Sequence, residues 1–118
     1  MILILLWLFV VLLLSIMPSG GLQTGFPIDK IIHFIIYGIT TIILFRVLKL
    51  RMSLIKAMGL SIGIASLYGL AMELLQSQLP WRECSFLDEV ANISGAMFFG
   101  FIYILKNHNR IKTKSWLK

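Results

Sequence analysis

The chain has 118 residues, 58% of them hydrophobic and 14% charged, with a mean hydropathy of +0.91. A soluble domain of this size has too little interior to hide that much apolar surface, so the composition points to an integral membrane protein of one domain. The net charge of +6 does not mark a nucleic-acid binder, because the basic residues fall in short runs between apolar blocks, as they do in membrane loops.

Taken in chain order, four apolar blocks predict an all-α integral membrane protein with four transmembrane helices in one bundle. The first, residues 2–17, holds no charge and is short for a span, which needs about 20 residues with a lower limit near 17. Pro18, Ser19, Gly20 and Gly21 end it. A signal peptide is the rival reading, but there is no basic n-region and Ser15-Ile16-Met17 is a poor cleavage site, so a retained helix is expected. The second block covers 28–48. The third covers 57–79 and is closed by Pro80. The fourth covers 90–105 and is followed by a basic tail over 106–118. Backbone amides in hydrocarbon must bond within their own segment, which makes each block a helix. In the third, Gly59 and Gly63, then Ala65 and Gly69, repeat a small-xxx-small spacing and are expected to carry helix packing. No internal repeat, phosphate loop, zinc spacing or RNA-binding aromatic motif appears.

The charges sort by side. Arg46, Lys49, Arg51 and Lys56 lie between the second and third blocks, and Lys106, Arg110, Lys112, Lys114 and Lys118 lie in the tail; only Lys30 and Arg82 fall on the other side. The positive-inside rule then puts both chain ends in the cytoplasm. All the acids, Asp29, Glu73, Glu83, Asp88 and Glu89, gather at the outer end. Glu83 and Glu89 read as ordinary surface charges. Glu73 is expected about two turns below the surface, where an unpaired charge costs about 3 kcal/mol. The lone Cys84 has no intrachain partner and reads as an inert thiol. His108 reads as a solvated residue of the tail, and Trp7, Trp81 and Trp116 as membrane residues, the latter two as interfacial anchors.

At that outer end the polar residues fall on helical stripes. Asp29, His33 and Tyr37 stand at i, i+4, i+8; Glu73 and Gln76 at i, i+3; Asp88, Asn92 and Gly95 along one face; and Arg82 in the intervening loop. Tyr37 suits either interior packing or the site. The ordered set Asp29-Lys30-x-x-His33-Phe34-x-x-Tyr37, Glu73-x-x-Gln76, Pro80-x-Arg82, Asp88-x-x-x-Asn92-x-x-Gly95 resembles the VanZ-like family of small bacterial membrane proteins over roughly residues 1 to 105. That resemblance implies a multi-pass protein of the bacterial cytoplasmic membrane. One member of the family is linked to low-level resistance to the glycopeptide teicoplanin. The resemblance implies a fold and a site more firmly than a reaction.

Three kinds of role fit such a site. In an enzyme, His33 oriented by Asp29 is a general base, Glu73 an acid, and Lys30, Tyr37, Gln76, Arg82, Asp88 and Asn92 hold the substrate; Lys30 and Arg82 suit a phosphate or carboxylate, as in a polyprenyl-phosphate-linked wall precursor. In a binding protein the same residues hold a headgroup or the antibiotic without chemistry. In a purely structural bundle, Lys30 and Arg82 neutralise Asp88, Glu73 or Asp29, and cross-helix polar contacts contribute about 0.6 kcal/mol each. A serine hydrolase lacks its Gly-x-Ser-x-Gly, and a transporter lacks its repeat. A metal set of His33, Asp29, Glu73 and Asp88 has one histidine among carboxylates, a weak signature, so neither metal nor cofactor is expected. The expectation is an outward-facing polar site that binds or acts on a cell-envelope component. Membrane lipids are its expected neighbours and nucleic acid is not a partner; the substrate, the reaction and the oligomeric state stay open.

Overall fold

Runs of aliphatic residues without internal proline give four helices: α1 (Ile2–Ile16), α2 (Ile28–Leu48), α3 (Leu54–Ser77) and α4 (Phe86–Trp116). The computed structural model describes residues 1–17, 28–82 and 85–116, with side chains over 1–17, 30–82 and 85–108. The turn expected at Pro18–Gly21, the side chains of Asp29, Arg110, Lys112, Lys114 and Trp116, and Glu83, Cys84 and Lys118 lie outside the described residues. Three stretches, Lys30–Leu48, Leu54–Ser77 and Phe86–His108, are long and apolar enough to cross a membrane. With 15 residues, α1 is shorter; at 1.5 Å per residue it reaches about 22 Å, against a hydrocarbon thickness of about 30 Å.

The helix ends follow from capping chemistry that hydropathy does not report. α3 starts at Leu54 rather than 57 because Ser53, in extended conformation, accepts a hydrogen bond from the Lys56 amide at 3.5 Å. α4 starts at Phe86 rather than 90 because the Ser85 hydroxyl accepts from the Leu87 amide at 3.2 Å, and Asp88 and Glu89 in its first turn suit the positive end of the helix dipole. At the far end α4 runs on to Trp116 through the stretch expected as a tail, which contains no glycine or proline. Its 31 residues reach about 46 Å, longer than a hydrocarbon layer of about 30 Å is thick.

α2 packs most extensively on α4, α3 lies against both, and α1 sits at the edge against α2 and α3. The α2–α4 approach is backbone-close. A Cβ on Gly95 would collide with the Phe34 main chain, and one on Gly38 would collide with the Phe99 ring. The expectation for Gly59 and Gly63 is corrected here, since a Cβ on either would meet nothing within 4 Å. The close-packed face of α3 is instead the stripe Ala57, Ser61, Ala65 and Gly69, all buried. Both sets have the same four-residue spacing, so spacing alone did not choose the face.

Two apolar clusters hold the middle and one end: Leu44 with Ala65 and Ala96, and Phe45 with Ala57 and Met58. Thr40, Thr41 and Ser61 are buried and donate their hydroxyls to the carbonyls of Ile36, Tyr37 and Ala57 one turn back. Leu67, Leu74, Phe98, Phe101 and Leu105 are exposed on the outside. A polar-containing interior inside an apolar exterior suits a hydrocarbon surround, where outward leucine carries no penalty and a polar group must find its partner within the protein.

Candidate functional site

The start of α2, the end of α3 and the start of α4 meet at one end of the bundle. There the buried groups are His33, Glu73, Asp88 and Asn92, with exposures of 9%, 3%, 2% and 0%. Lys30 Nζ, partly exposed, reaches Asp88 Oδ1 at 3.5 Å. His33 Nδ1 lies 2.8 Å from Asn92 Oδ1 and 3.6 Å from Glu73 Oε1. Asn92 donates its Nδ2 to Glu89 Oε2 at 3.0 Å.

That last bond sets the proton position on the histidine. An ionised carboxylate only accepts, so Glu89 must face the amide nitrogen, which turns the Asn92 oxygen toward the ring. The His33 Nδ1 therefore carries the hydrogen and donates, leaving the lone pair of the neutral ring on Nε2. Glu89, expected as a plain surface charge, is half-buried and orients this chain of bonds. Its signal was present in the sequence, three residues before Asn92 on the same helix face.

Tyr37 is buried with its ring parallel to that of His33, centroids 6.3 Å apart. Small residues leave it room. A Cβ on Gly69 would come within 3.0 Å of the Tyr37 ring and 2.8 Å of Asn92 Nδ2, so any larger side chain there would push both out of place. The α2 stripe is thus real for His33 and Tyr37, and Asp88, Asn92 and Gly95 share the buried stripe of α4. The Asp29 side chain, named as the partner of His33, is outside the described residues.

Two expected members go elsewhere. Arg82 is not paired with Glu73. Its Nε donates to the Ser15 carbonyl at 3.0 Å and an η nitrogen to the Leu14 carbonyl at 3.3 Å. Gln76 is buried but donates its Nε2 to the same Ser15 carbonyl at 3.0 Å. Trp81 Nε1 donates to the Ile16 carbonyl at 2.9 Å. The last carbonyls of a helix have no intrahelical partner, and α1 has no basic residue in its last turn. The α3 end and the loop after it supply both donors and positive charge, so these three side chains clamp α1 rather than line the polar site. Trp7, read as a membrane residue, donates to Thr40 Oγ1 at 2.8 Å and ties α1 to α2.

No family model, curated protein or solved structure matches this chain. The VanZ-like resemblance therefore rests on the residue pattern.

Chemically, the arrangement offers a histidine with a fixed tautomer, two buried carboxylates and a lysine within one cluster. His33, Glu73 and Asp88 each offer a ligand atom, and these atoms lie within 4.8 Å of one another, the one such group of three among the described residues.

Proposed function

We propose that this chain is a four-helix membrane protein of the bacterial cytoplasmic membrane, with both ends inside, whose outward-facing polar site binds or acts on the charged head of a cell-envelope component. The single observation that carries this reading is the burial of Glu73, Asp88, Asn92 and His33 among helices whose outer faces are apolar. Charges in such surroundings are expensive and mark ligand sites more often than scaffolding. Lys30 at the rim of the cluster suits a phosphate or carboxylate on an incoming headgroup. The unequal spread of basic residues supports the orientation, and the VanZ-like pattern supports the envelope setting and an effect on glycopeptide susceptibility.

The test is an envelope-drug susceptibility assay on His33→Asn and Glu73→Gln, with membrane abundance measured in the same cells and an impermeant thiol reagent applied to Cys84 from outside. The expected result is normal abundance, labelling in intact cells and loss of the phenotype. A phenotype that merely follows abundance would leave the cluster as structure alone.

A further inference from the structure

We infer that His33, Glu73 and Asp88 form a binding site for one divalent transition-metal ion of the zinc or manganese class, which presents an open coordination position to the anionic headgroup. The inference rests on the reading of this end of the bundle as a ligand site and specifies how that site would grip an anion.

The ligand set comes first. One imidazole nitrogen and two carboxylate oxygens, one from each of α2, α3 and α4, lie within 4.8 Å of one another. Ligand atoms about 2.1 Å from an ion stand about 3.4 Å apart in a tetrahedral site and about 4.2 Å apart across an octahedral one. Because His33 Nδ1 donates to Asn92, the ring ligates through Nε2, and rotamer adjustments of the three side chains bring it and the two carboxylate oxygens to those distances. Asp88 is loosely held: its Lys30 partner is 3.5 Å away with a side chain 38% exposed, and it can swing outward as the ion arrives.

Charge is the second and independent observation. Among the described side chains, the cluster sets the carboxylates of Glu73, Asp88 and Glu89 against the ammonium of Lys30. With these groups ionised and the histidine neutral, the formal charge is −2, which one divalent ion cancels. Arg82, the other cation at this end, is engaged with the carbonyls of α1. Outside the ligands, the Glu89–Asn92–His33 chain of hydrogen bonds is the kind that holds a ligating imidazole in position. Imidazole suits zinc, the two carboxylates suit manganese as well, and three protein ligands leave a position for a phosphate or carboxylate oxygen.

The test titrates the chelator-stripped full chain in detergent with zinc and with manganese against a fluorescent chelator. The wild type should bind one equivalent per chain. Glu73→Gln and Asp88→Asn should each weaken binding at least 100-fold, and His33→Asn should lower zinc affinity more than manganese affinity. His108→Asn, altered in the exposed part of α4, should bind as the wild type does. Absence of a saturable equivalent, or unchanged binding by all three site variants, would overturn the metal site. If the metal does not bind while His33→Asn still loses its phenotype at normal abundance, the metal inference fails and the ligand-site reading stands. If the metal binds as expected while the phenotype follows abundance, the ligand-site reading fails and the metal site stands.

Discussion

At one end of the α2–α3–α4 core, Phe45, Ala57 and Met58 close on one another, with the Tyr103 ring edge-on to Phe45 at 5.5 Å. At the other end the equivalent central positions go to His33, Glu73, Asp88 and Asn92. The same three helices thus bury shape-matched apolar groups at one end and desolvated charge at the other. Dispersion between close-packed atoms holds the apolar end, and loss of volume is felt there directly. The polar end bears a desolvation cost that the apolar end does not, and on the proposed reading its residues serve a ligand rather than stability. Substitutions should therefore separate folding from function according to the end they touch.

The largest effect is expected from Phe45→Ala. Phe45 is fully buried, and truncation should cost about 3 kcal/mol through the cavity it leaves. Thermal unfolding in detergent measures this; a loss under about 1 kcal/mol would mean that the apolar end does not anchor the core.

Arg82→Ala comes next and should cost about 1–2 kcal/mol, because it strips donors from the carbonyls of Ser15 and Leu14. The decisive quantity is its coupling to Glu73→Gln. If Arg82 serves α1, the double variant is additive to within about 0.5 kcal/mol; a larger coupling would restore an Arg82–Glu73 pair.

The smallest effect should come from Gly59→Ala, within about 0.5 kcal/mol, since the added methyl meets open space and alanine is the better helix former. A clear loss of stability would show that Gly59 packs against a second helix after all.

The helices were legible because hydropathy integrates over 15 or more residues, while their ends depend on single hydroxyls such as those of Ser53 and Ser85. The polar stripes of α2 and α4 were legible because His33, Tyr37, Asp88 and Asn92 recur at helical spacing. The destination of Arg82 was not, because nothing in the local sequence weighs a buried acid against the terminal carbonyls of another helix more than sixty residues away. His33, Glu73 and Asp88 could be assigned to one site, together with Asp29, because all fall at the same end of the bundle. That the donor atoms of the first three come within 4.8 Å of one another was not legible, since each stands on a different helix and no short spacing reports it.

The clamp on α1 also bears on the order of assembly. Gln76 lies 61 residues after the Ser15 carbonyl it satisfies, and Arg82 lies 67 residues after. At about 5–20 residues synthesised per second, α1 leaves the ribosome roughly 3 to 12 s before either donor exists. Through that interval the last carbonyls of α1 lack these partners and need water or another donor. The α1 terminus is therefore closed only once α3 is complete, later than the Trp7–Thr40 tie to α2, whose partners are made first.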